Sequence, residues 1–294
     1  MAVYREGKKM NNFIVMTNSQ KDDGLVLSKK ISDYITSHGR ICTIIPDPTR
    51  EETIQSGIYE NIGEDVDCAL VLGGDGTFIR AARILTERDI PLIGVNLGTL
   101  GYLCELEEET LFSAIDQLFE DVYTVEERML LSGCEFEDGQ QINIHAAFND
   151  IVIYRAGSLS IIKLKLFVNG QELCTYHADG LILSTPSGST AYNMSAGGPI
   201  VDPKAELIVV TPISAQAMNA KSLVLCADDE IVIEVVPRDS KKKEEVEVAF
   251  DGDNALRLRV GDKIYVRKGQ MKTKILHLGN ASFLEILRKK MYSY

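Results

Sequence analysis

A carboxylate stands inside a glycine turn at residues 71–83, V-L-G-G-D-G-T-F-I-R-A-A-R. Gly73, Gly74 and Gly76 surround Asp75, with an apolar run before them and a helical pattern after. Glycines let a backbone approach a ligand closely, and open N–H groups at a helix start attract negative charge, so such turns suit phosphates. An acid there repels phosphate unless it meets a metal, accepts a proton or bonds a hydroxyl. Phosphoryl transfer to an alcohol needs those functions: an oriented hydroxyl, a proton acceptor and neutralised phosphate charge. The turn is not a dinucleotide fingerprint, because Ile79 stands where the third glycine of G-x-G-x-x-G belongs, and no G-K-S/T follows to make a Walker A loop. A bland reading stays open at this point, since Asp-Gly is a common turn pair.

A second stretch, T-Y-H-A-D-G-L-I-L-S-T-P-S-G-S-T-A-Y-N-M-S-A-G-G-P-I-V at 175–201, sets Ser184, Thr185, Ser187, Ser189, Thr190, Tyr192, Asn193 and Ser195 beside glycines. So many donors and acceptors suit a ligand with ribose hydroxyls and amide edges, with Tyr192 able to stack on a base. The same residues also read as a capped turn, with Ser187 or Ser189 as N-cap and a short helix ending at Gly197-Gly198 before Pro199. A third stretch, F-N-D-I-V-I at 148–153, interrupts an apolar strand with Asn149 and Asp150, and it matters to function only if it faces the other two.

These stretches need elements to hold them. Phe13–Met16, Arg40–Ile45, Cys68–Leu72 and Pro91–Asn96 read as strands, and helical spacing covers Asp22–His38, Thr77–Leu85 and Glu107–Val122. The alternation predicts a Rossmann-like parallel sheet covered by helices. From about residue 124 strands dominate: Ile142–Ala147, Asn149–Tyr154, Lys163–Val168 and Glu172–His177 around the hairpin signal Asn169-Gly170, then Leu207–Thr211, Ile231–Val236, Glu245–Phe250 and Lys263–Arg267. The expected organisation is an α/β N-terminal domain over 12–124, a β-rich C-terminal domain over 125–280, and a C-terminal helix over 281–294 that packs back on the first domain. K-K-K-E-E at 241–245 reads as a solvated loop.

The 294-residue chain has a formal net charge of −12, which argues against a nucleic-acid binder, because such a protein needs basic surface to displace counterions. A small anion remains compatible, held by local dipoles. The 6 cysteines are scattered with no C-x-x-C, and the 4 histidines show no H-x-x-x-H, so neither a disulfide framework nor a zinc site is expected. No apolar run approaches a membrane span and the N-terminus lacks a signal-like core, so a cytoplasmic location without membrane partners is expected.

Taken together, G-G-D-G-T at 73–77, N-L-G-T-L-G-Y-L at 96–103, N-D at 149–150 and A-D-G-L-I-L-S-T-P-S-G-S-T-A-Y-N-M-S-A-G-G-P-I at 178–200 resemble the NAD kinases in order and spacing. The likeness runs from about Phe13 to the C-terminal helix. Lipid and sphingoid kinases share a G-G-D-G-T-like motif but not the long serine- and threonine-rich stretch; a lipid kinase and a non-catalytic dinucleotide sensor are the alternatives. The resemblance implies phosphoryl transfer from ATP, or in some members polyphosphate, to the 2′-hydroxyl of the adenosine ribose of NAD. It implies NAD held between an α/β and a β-rich domain and across subunits of a homodimer or homotetramer. It also implies Mg²⁺, or another divalent metal, as the partner of ATP. It gives Asp75 the part of general base or hydroxyl-orienting group, with Gly76 against NAD. Arg80, Tyr102 and His177 match positions lining the site. Asn149 and Asp150 match holders of adenosine and ribose, Asp179 a binder of a polar edge, and Thr190, Ala191, Tyr192, Asn193, Met194 and Ser195 a wrapping segment. The chain departs from the family habit at Asp150, where Glu is usual, at Lys221, near an arginine position, and at Asp253, where Gln is often found.

Overall fold

The computed structural model describes residues 9–47, 62–63, 65–98, 101–137, 139–157, 160–217, 220–237, 245–279 and 282–292. The chain divides into two compact units, one running to Glu127 and resuming at Thr273, the other Arg128–Lys272.

The first unit is built from β1 (Asn12–Asn18), α1 (Val26–Ser37), β2 (Ile41–Asp47), β3 (Cys68–Gly73), α2 (Asp75–Thr86), β4 (Leu92–Asn96), β5 (Cys104–Leu106) and α3 (Leu111–Phe119). The strands lie parallel in the order β2-β1-β3-β4, with β5 beside β4. Every residue of β3 is buried, which is why its sequence shows no alternation. The helices bury the stripes expected from their spacing: Leu27, Ile31 and Ile35 from α1, and Phe78, Ala81, Ala82 and Leu85 from α2. The helix expected from Asp22 starts four residues later, because Gly24 and Leu25 sit at φ 62° and 56°. Asp22 instead caps α1, accepting the N–H groups of Leu27 at 2.9 Å and Ser28 at 3.0 Å. The helix expected over Glu107–Val122 is shorter too. A 3-10 turn at Glu108–Thr110 leads into α3, and Asp121 at φ 56° follows its end.

The second unit is antiparallel. Its elements are β6 (Thr124–Glu137, whose first residues belong to the first unit), β7 (Gln140–Ala147), β8 (Asp150–Arg155), β9 (Ile162–Val168), β10 (Gln171–Ala178), β11 (Gly180–Ser184), α4 (Tyr192–Ser195), β12 (Leu207–Ile213), β13 (Leu223–Cys226), β14 (Ile231–Val236), β15 (Glu245–Phe250), β16 (Asp253–Arg259) and β17 (Lys263–His277). One sheet runs β10-β9-β14-β17 and the other β13-β12-β11-β8-β15-β16. Leu164, Leu166 and Ile233 from the first share a core with Ile151, Ile153, Leu183 and Val248 from the second. Asn169 and Gly170, at φ 49° and 77°, make the expected hairpin between β9 and β10, where both central residues need positive φ. The strand β11 was hidden by its hydroxyl-rich neighbours. It is fully buried between β8 and β12.

Past Thr273 the chain returns to the first unit. Ile275 pairs with Leu92, Thr273 Oγ1 lies 2.6 Å from Thr86 Oγ1, and α5 (Phe283–Tyr292) follows. No helix among the described residues is long and apolar enough to cross a membrane. Thr99 and Leu100 of the second glycine turn and residues 241–244 of the charged run lie outside the described residues.

Candidate active site

Asp75 is the first residue of α2, following Gly74 in an extended conformation (φ −133°, ψ −172°). Its carboxylate accepts the backbone N–H groups of Tyr102 at 2.9 Å and Leu103 at 3.1 Å. Two glycines make room for this. A Cβ on Gly101 would fall 2.0 Å from Asp75 Oδ1, and one on Gly73 would fall 2.5 Å from Thr77 Oγ1. The acid in the phosphate turn is therefore held from the opposite loop, the one carrying N-L-G-T-L-G-Y-L. Gly76 is exposed beside it, and a Cβ there would lie 3.9 Å from Arg80 Nη1. The Tyr102 ring is half-buried, and the Lys290 ammonium of α5 lies 4.2 Å from its centroid, a cation–π distance. Burial, and then the Asp75 charge, raise the Tyr102 hydroxyl above its usual range. The same two causes push the neighbouring Cys104 thiol up to about 12, so it is an inert packing group rather than a nucleophile.

In the second unit the Asn149–Asp150 turn is fastened on both sides. The carboxylate of Asp251, in the β15–β16 turn, accepts the N–H groups of Phe148 at 2.7 Å, Asn149 at 2.7 Å and Asp150 at 3.1 Å. The Thr185 N–H donates to Asn149 O at 2.8 Å, and its hydroxyl donates to Phe148 O at 2.7 Å. A Cβ on Gly188 would sit 2.1 Å from Asn149 O, so S-T-P-S-G-S-T packs against N-D only with glycine at that point. The expected cap is corrected here. Neither Ser187 nor Ser189 caps the turn. Thr185 Oγ1 accepts the Gly188 N–H at 3.0 Å, and a 3-10 turn at Ser187–Thr190 leads into the four-residue α4.

The fastened turn forms one wall of a cavity of about 700 Å³. Asn149, Asp150, Asp179, Ala191 and Tyr192 line it, together with Tyr154, Arg155, Asp251, Gly252 and apolar residues of β8, β12 and β15. Asp179 pairs with Arg155, Oδ1 to Nε 2.9 Å. Asn149 is 9% exposed, and its buried Oδ1 has no hydrogen-bond partner, an arrangement that asks for a ligand donor. Burial, and then the charge of Asp251, push the Asp150 carboxyl up to about 7. A carboxyl raised in this way stabilises the fold below its unfolded value near 3.8, and that contribution is lost as pH rises through about 7. Asp150→Asn is therefore expected to melt above the wild type at pH 8, with the gap closing toward pH 5. A gap that does not depend on pH, measured by calorimetry, would contradict this.

The other residues singled out from sequence fall around this cavity or apart from it. Thr190 donates to Ser187 O at 3.3 Å, and Tyr192, Met194 and Ser195 are exposed on α4. Asn193 is fully buried: its Nδ2 donates to Ser189 O and Pro199 O, and its Oδ1 accepts the Thr211 hydroxyl, so its side chain fastens the turn. His177 lies apart on β10, where it lines a second cavity of about 590 Å³ with Tyr176, Gln216 and Lys221.

With this geometry in view, comparison with known proteins decides the family. The ATP-NAD kinase N-terminal domain profile matches residues 13–123, and the ATP-NAD kinase C-terminal domain profile matches residues 148–278. The chain belongs to the ATP-NAD kinase family. Among its relatives, the NAD kinase of Agathobacter rectalis is 47% identical over 285 residues, covering 97% of this chain and 100% of that protein. The NAD kinase of Lachnoclostridium phytofermentans is 40% identical over 288 residues, covering 96% and 99%. In fold, the chain is similar to yeast NADH kinase complexed with NADH, at a TM-score of 0.80 and 21% identity, covering 100% of this chain and 93% of the other. It is also similar to an NAD kinase from Archaeoglobus fulgidus in complex with ATP, at a TM-score of 0.73 and 24% identity, covering 96% and 99%. The expected α/β and β-rich halves are those of the ATP-NAD kinase fold. Membership along both domains disfavours the lipid-kinase reading. Reading of the sequence missed Asp251 and Arg155 in the cavity. Asp251-Gly252 carries a visible turn signal, but nothing in it points to a target about a hundred residues upstream.

Proposed function

We propose that this ATP-NAD kinase family member phosphorylates the 2′-hydroxyl of the adenosine ribose of NAD with ATP, giving NADP and ADP. The observation that carries the reading is the Asp75 carboxylate, tethered by two backbone amides at the head of α2 inside G-G-D-G-T. The ribose 2′-oxygen attacks the terminal phosphorus, the bond from that phosphorus to the bridging oxygen breaks, and ADP leaves. The hydroxyl proton passes to Asp75 as general base, or Asp75 acts by orienting the hydroxyl. A tethered carboxylate needs no reorganisation when substrate arrives, so positioning supplies much of the rate. Gly76, Arg80 and Tyr102 accompany it in this reading.

The second unit supplies the dinucleotide pocket. Asn149 Oδ1 offers an acceptor to an amino group such as that of adenine, Asp150 and Asp179 offer carboxyl oxygens to hydroxyls or amides, and Thr190–Ser195 flanks them. Among the described residues no cluster of three His, Cys, Asp or Glu side chains stands ready for a metal. In this reading a divalent ion would arrive with the donor as ATP–Mg²⁺ and would neutralise phosphate charge. A cytoplasmic homodimer or homotetramer completes the reading, with His177 serving a dinucleotide from outside the 700 Å³ cavity.

An NADP-formation assay across ATP, other nucleotides and polyphosphate, with and without Mg²⁺, tests this reading. NADP from ATP is the expected result. NAD binding without NADP from any donor would favour a sensor, and phosphorylation of a lipid instead of NAD would overturn the acceptor assignment. Because the Asn149 side chain makes no hydrogen bond among the described residues, Asn149→Ala should leave the melting temperature near wild type. Leaving a bound donor unsatisfied costs about 1–3 kcal/mol, so NAD affinity should fall about 5- to 150-fold. Calorimetric titration with NAD checks this, and unchanged affinity would remove Asn149 from the pocket's function.

A further inference from the structure

The turn after β1 is shaped by Asn18. The N–H groups of Lys21 and Asp22 donate to Asn18 O at 2.9 and 3.0 Å, and the Gln20 N–H donates to Asn18 Oδ1 at 3.0 Å. Asn18 Nδ2 also donates to Thr77 Oγ1 at 3.3 Å, tying this turn to the first turn of α2. From there the Lys21 ammonium extends across two glycines from separate motifs. A Cβ on Gly74 of G-G-D-G-T, or on Gly98 of N-L-G-T, would each come within 3.3 Å of Lys21 Nζ. Gly98 has φ +154°, a conformation that side-chain-bearing residues rarely adopt. The charges of Lys21 and Asp75 both act on the Cys104 thiol, so all three groups share one corner of the first unit.

The neighbouring acids are already engaged. Asp22 accepts from Leu27 N, Ser28 N, the Ser28 hydroxyl and the Thr17 hydroxyl. Asp75 accepts from Tyr102 N and Leu103 N. Among the described residues, Lys21 Nζ has neither a hydrogen bond nor an ion pair, in a chain whose net charge is −12. A cation without a partner among the described residues, beside two glycine backbones and near the proposed acid, is placed to receive an anion from solution.

We infer that Lys21 is the residue that holds the terminal phosphate of the phosphoryl donor beside Asp75. An ammonium on a flexible stem suits this task, since it can follow a phosphate as charge shifts during transfer, which a rigid bidentate fork cannot do as freely. The inference rests on the proposed reaction and adds to it a donor-side residue within the first unit.

Steady-state kinetics on the full chain test it, with ATP and NAD varied separately. Wild-type NADP formation tests the reaction itself, and the variants then test only the lysine. Lys21 is exposed, so Lys21→Met should fold and melt like the wild type. It should raise KM for ATP at least tenfold and lower kcat, while KM for NAD stays within twofold. Lys21→Arg should recover most of the loss, because it restores the charge. Lys29→Met, which removes an exposed lysine of α1 whose Nζ donates to Gly24 O at 3.1 Å, should change neither constant. An ATP KM and kcat within twofold of wild type in Lys21→Met would overturn the inference. So would a rise in the NAD KM as large as that for ATP.

Discussion

Asp75→Asn is expected to lower kcat for NADP formation by about 10³-fold, within the range that a positioned acid or base contributes, while NAD still binds and the protein still folds. Asparagine keeps the size of the side chain and one carbonyl oxygen. It loses the charge, and its amide nitrogen then faces one of the two N–H groups that Asp75 now accepts, from Tyr102 or from Leu103. The variant therefore combines two effects, loss of the base and loosening of the 101–103 loop. Gly101→Ala separates them. Its methyl would press on Asp75 Oδ1 from 2.0 Å, disturbing the tether while the charge of the acid is kept. If the chemistry belongs to the carboxylate, Asp75→Asn loses far more turnover than Gly101→Ala, and the loss resides in kcat rather than in KM for NAD. An Asp75→Asn rate within about threefold of wild type would remove the residue from the general acid–base role.

Asp251→Ala is expected to affect both stability and binding. Three backbone N–H groups, on Phe148, Asn149 and Asp150, lose their acceptor at once, and Phe148 is fully buried. Unmade buried hydrogen bonds cost about 1–3 kcal/mol each, so a loss of roughly 3 kcal/mol or more is expected. For a chain of this size that is a fall of roughly 6–12 °C in melting temperature. The Asn149–Asp150 turn would then keep the Thr185 bonds and the Asp251 N–H bond to Asp150 O at 3.0 Å but lose its carboxylate anchor, so KM for NAD should rise by more than an order of magnitude while KM for ATP changes little. Removing the Asp251 charge also takes away one of the two causes that raise the Asp150 carboxyl; burial, the larger, remains. Thermal melts and separate titrations of the two substrates check these expectations. A variant that melts within a degree of wild type and keeps its NAD KM would show that the three amide bonds do not set the pocket.

Much of the first unit was legible because its signals are local. The strand β3, the three glycines and the stripe Phe78–Ala81–Ala82–Leu85 follow one another in sequence and fold in that order. The hairpin at Asn169-Gly170 was legible for the same reason, since two positive-φ residues in a row leave few choices. The misses share another cause. The apolar strand Gly180–Ser184 is enclosed by hydroxyl-bearing residues that read as a ligand-facing wall or a capped turn. Asp251 acts on amides 101 to 103 residues away, and no spacing rule in a single chain connects a turn aspartate to such targets. Lys21 is a lone lysine in a polar turn, and its place against Gly74 and Gly98 emerges only when β1, β3 and β4 lie side by side. The expected caps at Ser187 and Ser189 lost to Thr185, whose hydroxyl bonds the Phe148 carbonyl as well as the Gly188 N–H, an arrangement only tertiary packing can select.

The central claim is that the tethered carboxylate of Asp75 serves transfer to one particular hydroxyl of NAD. Phosphorus NMR of the products from ATP, Mg²⁺ and NAD tests it most directly, run in parallel for the wild type and Asp75→Asn. The expected product is a new phosphate monoester on the adenosine ribose at its 2′ position, appearing with ADP in equal amount in the wild type and nearly absent in the variant. ADP with free inorganic phosphate and no esterified dinucleotide, or an ester on a different hydroxyl, would contradict it.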